Sequence, residues 1–350
     1  MDENEENGAE REKPRRGRTK RLIILFFIVL IIGAGAGVGS NFIFAKPEAE
    51  KATEVAKEEK EEEKAEEKGE EAGEESTRGK PLVSRFNTSQ AMSHVFALSE
   101  QIGDRPAGSV RASGAADYIV RKMGEYGYTV EEQPLTTTEG FGSRNIIGNR
   151  RGTRDGYTLI IGAHFDSPPG SKGAVDDASG VGVVLELARL FADQRLESTL
   201  QFVFFGANMP GDGNIENRLV GSRLFVDMLG TMDRKEVIGM ISVDCVGQGE
   251  LLALRTQETG LQRLKAKLTT FARESGVEAV SLKSTSDSDN IPFEDVGIPA
   301  VWIEWCDADG SLATDNEYRS VVPEKVETVG ALIEDFLYDI TPDDLEELKY

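Results

Sequence analysis

Two short stretches of the chain carry residue types that could do chemistry together. Gly162-Ala163-His164-Phe165-Asp166-Ser167 ends an apolar run of strand length, and Gly173-Ala174-Val175-Asp176-Asp177-Ala178-Ser179-Gly180 opens an amphipathic one. An imidazole and carboxylates gathered at the mouth of an α/β sheet are the donors a divalent cation takes, so the pair points to hydrolytic metal chemistry. The bland alternatives are a hydrogen-bonded core histidine at 164 and a helix cap at Asp176 or Asp177 before the helix that begins near Ser179. The chain has two histidines; the other, His94, lies inside an amphipathic helical pattern and reads as structural. No Gly-x-Ser-x-Gly elbow occurs, which leaves His164 as the sole available base for a serine or cysteine triad. Ser288 and Asp289 read as a polar loop.

The elements that must position these residues alternate along the chain from about residue 82. Helical spacing of apolar residues marks 90–101, 113–126, 179–191, 218–229, 261–274 and 324–338, and strand-length apolar runs occupy 157–163, 200–205, 237–243 and 300–305. Such alternation predicts an α/β fold whose mixed, largely parallel sheet carries helices on both faces. Ligands of these folds collect beyond the carboxyl ends of the strands. His164, Asn208, Asp244 and the segment 306–317 all follow predicted strands, so they can meet in one cleft. Cys245 and Cys306, the only two cysteines, also lie at strand ends, where they could form a disulfide or stay as buried thiols.

Ahead of this domain the composition changes three times. Residues 1–21 are polar and rich in Arg and Lys, a cytoplasmic basic segment. Residues 22–45 contain no charged side chain, and about 20 helical residues cross a hydrocarbon core of about 30 Å. A cleavable signal peptide has a shorter apolar region, of about 7 to 15 residues, so an uncleaved transmembrane helix is the expectation. The basic cluster then keeps the N-terminus in the cytoplasm and places the folded domain outside, as a single-pass protein of the cell membrane. Gly33-Ala34-Gly35-Ala36-Gly37 has the small-x-x-x-small spacing through which two such helices could pair as a homodimer, or is simply a glycine-rich end of the span. Residues 46–81 are mostly Glu, Lys and Ala; they bury too little to fold alone and read as a charged, disordered or partly helical stalk. The formal net charge of −22 and the absence of a basic patch in the folded region argue against nucleic acid as a partner.

Residues 103–340 resemble the M28 family of zinc peptidases, the co-catalytic aminopeptidase group. The resemblance runs through Gly103-Asp104-Arg105-Pro106-Ala107-Gly108-Ser109, His164-x-Asp166, Asp176-Asp177-Ala178-Ser179-Gly180, Gly221-Ser222, Val243-Asp244-Cys245-Val246-Gly247 and Ser288-Asp289-Asn290-Ile291-Pro292-Phe293. It implies that His164 and Asp244 bind one metal, that Asp176 bridges two, and that Asp166 orients His164. The departures are equally specific. Where the family follows its third strand with Glu-Glu, a general base and a ligand, this chain has Asn208-Met209, and the family's last histidine aligns with Ala313. An amide cannot take a proton from water, and a thioether is a poor zinc donor beside oxygen and imidazole. The glutaminyl cyclases, a related branch, keep one zinc on the opposite subset and retain the base.

One zinc ion on His164, Asp176 and Asp244 is thus the expected cofactor, since three protein donors suffice for a zinc site with an open position. Asp212 and Glu216, or Asp307, Asp309, Asp315 and Glu317, could fold back to replace what is missing. Two functional readings follow. One is a metal-dependent, aminopeptidase-type hydrolase acting on a peptide or protein substrate; the other is a catalytically inactive binding module of the same fold.

Overall fold

Buried strands have no water for their N–H and C=O groups and must pair with one another, and the apolar runs do so in one sheet. The computed structural model describes residues 84–137, 140–209, 217–284, 286–312 and 315–349. The basic segment, the apolar run at 22–45 and the whole of 46–83 lie outside these residues, as do Asp212, Glu216 and Ala313. Among the described residues no helix is long and apolar enough to cross a membrane.

The strands are β1 (Val130–Thr136), β2 (Gly142–Arg150), β3 (Thr158–His164), β4 (Thr199–Phe205), β5 (Val237–Val243), β6 (Leu251–Thr256), β7 (Val280–Lys283) and β8 (Ala300–Cys306). Their order across the sheet is β1-β2-β4-β3-β5-β8-β6-β7. The four apolar runs form its parallel centre, β4-β3-β5-β8. The β1/β2, β2/β4 and β6/β8 pairings are antiparallel and β6/β7 is parallel, so the sheet is mixed and largely parallel, as the alternation of elements predicts.

The helices are α1 (Thr88–Phe96), which runs on through a π-helical turn at Ala97–Ile102, α2 (Val110–Glu125), α3 (Ser179–Phe191), α4 (Val220–Met228), α5 (Thr231–Glu236), α6 (Arg263–Glu274), α7 (Ile291–Asp295), α8 (Pro323–Asp339) and α9 (Pro342–Lys349). Alternate side chains of the central strands enter two separate cores. Leu159, Ile161, Phe202, Ile241 and Val301 pack with α1, α2, α3, α6, α8 and α9, whereas Ile160, Val203, Phe205 and Met240 pack with Phe225 and Val226 of α4 and Phe293 of α7. Burial on both faces explains why these strands read as unbroken apolar runs. Helix α3 is buried almost all round and crosses α1 at Gly182, where a Cβ would stand 2.7 Å from the Ala91 carbonyl oxygen.

Cys245 and Cys306 are both buried free thiols. His94 is buried in α1, with Nδ1 2.6 Å from the Tyr118 hydroxyl and Nε2 3.0 Å from that of Tyr126. Burial, helped by the charge of Lys122, pulls its pKa down to about 4. The fold therefore prefers the neutral ring. The resulting stability is complete above the unfolded pKa of about 6.5 and is lost as pH falls through about 4, an effect of about 3 kcal/mol. Denaturant titrations between pH 7 and pH 4 should show a steeper loss for the wild type than for His94→Gln; parallel curves would mean that the ring is not held neutral.

Candidate metal centre

The parallel register brings the first two donors together. Gly162 of β3 pairs with Ser242 of β5, so two residues further on His164, at the end of β3, lies beside Asp244, just past β5. Asp176 arrives from the turn Ala174–Ala178 that leads into α3, where the Asp176–Asp177 peptide is cis. His164 Nε2 is 3.0 Å from Asp176 Oδ1 and 3.7 Å from Asp244 Oδ1. All three atoms are buried and none makes a well-aligned hydrogen bond. Tetrahedral zinc with bonds of 2.0–2.2 Å sets neighbouring donors about 3.4 Å apart, so the three orphaned atoms fit such an ion. Among the described residues they are the one group of three His, Cys, Asp or Glu side chains close enough to hold a metal.

Without a cation the cluster shares a proton. Burial pulls the His164 pKa down, but Asp166, Asp176 and Asp244 outweigh it and hold the value well above the ordinary one. Burial likewise pushes Asp244 up, yet His164 and the Ser288 hydroxyl keep it below the usual carboxylate range. The two carboxylates want a positive charge at Nε2, and a metal that takes that place releases the proton.

Each donor is held by a different device. His164 Nδ1 lies 3.2 Å from the Asp166 backbone carbonyl and 3.7 Å from its carboxylate. A carbonyl only accepts, so Nδ1 carries the hydrogen and Nε2 is the free donor. The resemblance gave the orienting role to Asp166; here the contact to His164 is closer through its main-chain carbonyl than through its carboxylate. Its carboxylate is occupied elsewhere, accepting the amides of Asn208 (3.1 Å) and Met209 (2.6 Å). Asp244 Oδ2 accepts from Ser288 Oγ at 2.7 Å, and Ser288 Oγ in turn lies 3.0 Å from Ser242 Oγ. Ser288 is thus part of the site rather than of a bare polar loop; its place in Ser288-Asp289-Asn290 was the signal that could have shown it.

Two buried polar side chains tie these pieces together. Asp177 Oδ1 accepts the amides of Gly180 (2.9 Å) and Cys245 (3.3 Å), and Oδ2 accepts that of His164 (3.3 Å). Of the two candidate helix caps, Asp177 does the capping and Asp176 faces the imidazole. Arg105 is fully buried and donates to the carbonyls of Phe165 (2.6 Å), Gly173 (2.7 Å) and Lys172, which clamps both ends of the loop between His164 and Asp176. Burial lowers its pKa to about 10, so it remains charged.

The positions that depart from the family are also informative. Asn208 is buried and neither side-chain atom makes a well-aligned hydrogen bond. Beside it lies Asp289, whose pKa burial raises to about 6 against the charge of His164 and contacts to Ser222 and Asn208. Met209 presents a thioether. The described loop acids do not join the cluster: Asp309 bonds to Ser311 (2.6 Å), Asp315 accepts the Glu317 amide (3.3 Å), Glu317 pairs with Lys172 (3.0 Å), and Asp307 lies outside the group of donors. Replacing Arg105 by Met would strand several carbonyls in the interior at about 1 kcal/mol or more apiece. The expected result is a fall in unfolding free energy of at least about 3 kcal/mol in urea; a loss below about 1 kcal/mol would refute the clamp.

Comparison with known proteins bears on the fold. The aminopeptidase YwaD of Bacillus subtilis is 26% identical over 209 residues, covering 56% of this chain and 44% of that protein. The chain therefore spans less than half the length of the curated relatives it matches most extensively. Among solved structures, a zinc aminopeptidase from Bacillus subtilis superposes with a TM-score of 0.66 at 18% identity, over 73% of this chain and 95% of that one. A glutaminyl cyclase of Porphyromonas gingivalis gives 0.64 at 23% identity, over 73% of this chain and 98% of that one. The sequence profile of peptidase family M28 matches residues 145–327, a little over half of the chain, from within β2 to the first turn of α8 and across all three donors, and the chain belongs to that family.

Proposed function

We propose that the chain is a single-pass, membrane-anchored protein whose M28 domain, residues 82–350, faces away from the cytoplasm, holds one zinc ion on His164, Asp176 and Asp244, and cleaves peptides in the manner of an aminopeptidase. The observation that carries the zinc site is the convergence of three orphaned donor atoms from three separate elements. Support for the anchor comes from sequence: the basic residues 1–21, the uncharged 22–45 and the stalk at 46–81. The glycines at 33, 35 and 37 make pairing of two spans part of the same reading.

The chemistry such an ion supplies is Lewis acidity toward a peptide carbonyl and a lowered pKa for water. The chain's own part is to aim His164 Nε2 by holding Nδ1–H on the Asp166 carbonyl, and to keep Asp244 turned inward through Ser288. Asp176, with 20% of its side chain exposed against 0% for His164 and 6% for Asp244, stands on the open side of the cluster. Asn208 can donate and accept hydrogen bonds to a peptide but cannot take a proton. That observation favours a second reading, a silent binding module that holds peptides without cutting them.

Full-length protein in detergent should contain about one zinc per chain, with His164, Asp176 and Asp244 as its ligands; Asp176→Ala should lose it. Hydrolysis of aminoacyl reporter peptides that disappears in Asp176→Ala supports the enzyme, zinc without hydrolysis leaves a structural ion, and absence of both zinc and hydrolysis overturns the enzyme and supports the binding module. Restoring a carboxylate with Asn208→Glu should raise the rate by about 100-fold or more if a missing proton acceptor limits it. An unchanged rate would show that something else does.

A further inference from the structure

The three donors are not equally supported. The His164 ring is held through Nδ1 and the Asp244 carboxylate through Ser288, but among the described residues no hydrogen bond reaches Asp176 Oδ1, which stands 3.0 Å from His164 Nε2. Its direction must therefore come from its main chain. That main chain is not helical, with φ −115° and ψ 92° at Asp176. A peptide in so open a conformation has no neighbouring turn to bond to, and something else must satisfy it.

The partner is Asn316. Its Oδ1 accepts both the Val175 amide (2.7 Å) and the Asp176 amide (2.9 Å), and its Nδ2 lies 3.5 Å from the Asp176 carbonyl. Its own carbonyl accepts the Ala174 amide at 3.1 Å. We infer that Asn316 is the positioning residue of the metal centre, the side chain that turns Asp176 toward His164. The acids at 307–317 were candidates to supply a missing ligand; the residue of this segment that reaches the site brings an amide instead. Lys172 docks the same segment from outside, through Glu317 (3.0 Å), and touches neither Asp176 nor its peptide.

This inference rests on the zinc reading above, and its test separates the two. Zinc affinity of the full-length protein would be measured by competition with a chromophoric chelator, and thermal stability measured on the metal-free protein. Asn316→Ala should weaken zinc about 10- to 100-fold, the usual effect of losing a group that orients a ligand, while the metal-free protein still unfolds cooperatively with a melting temperature lowered by less than about 8 °C, as expected for two amides left without an acceptor. Asn316→Asp, which keeps the oxygen that accepts both amides, should restore most of the affinity, and Lys172→Ala should bind zinc as the wild type does. Wild-type affinity in Asn316→Ala overturns the inference, as does an equal loss in Lys172→Ala or a loss matched by collapse of the metal-free protein. A wild-type protein that takes up no zinc removes the metal centre itself, and this inference with it.

Discussion

The arrangement of the site depends on one carboxylate that binds no ligand. Asp177 is buried and accepts three main-chain amides, from His164 at the end of β3, from Gly180 in the first turn of α3 and from Cys245 after β5. Two of these amides belong to, or directly follow, a donor residue, and the third fixes the helix that Asp176 precedes. A strand end, a helix start and a second strand end are thereby fastened to a single group. The close packing leaves no room for a side chain at 180, where a Cβ would lie 2.0 Å from the Val243 carbonyl oxygen and 2.4 Å from Asp177 Oδ1. The Asp-Asp-Ala-Ser-Gly run is thus one steric and electrostatic unit. Its two acids divide the work, one outward to the imidazole and one inward to the backbone.

Much of this was legible in the sequence. The four strands at the centre of the sheet announced themselves because both of their faces are buried, and helix α3 runs over the residues its periodicity marked, 179–191. The outer strands were not legible. β1 reads Val-Glu-Glu-Gln-Pro-Leu-Thr and leaves most of its side chains in solvent, with a proline tolerated at the edge; β7 has only four residues, none of them buried. Such strands are fixed by their neighbours rather than by their own apolar content, so the antiparallel flanks of the sheet went unseen.

At the site, residue types pointed to the three donors but not to the groups that aim them. His164, Asp176 and Asp244 are metal-ligating types at strand and helix ends. Arg105, Ser288 and Asn316 act through carbonyls, a hydroxyl and an amide; the first two lay in motifs of the resemblance that gave them no role, and nothing in its local sequence distinguishes Asn316 from a surface polar residue. Asp166 illustrates the limit: its identity was read correctly, yet its carboxylate is spent on the amides of Asn208 and Met209 and its carbonyl meets the imidazole. The chain keeps the carboxylate that organises the loop after β4 even though that loop now offers an amide and a thioether.

The uneven exposure of the donors also bears on traffic. With His164 sealed and Asp244 nearly so, Asp176 is the threshold that anything approaching Nε2 from solvent meets first. A side chain in that place acts as a doorkeeper: the way from solvent to the imidazole nitrogen runs past one carboxylate.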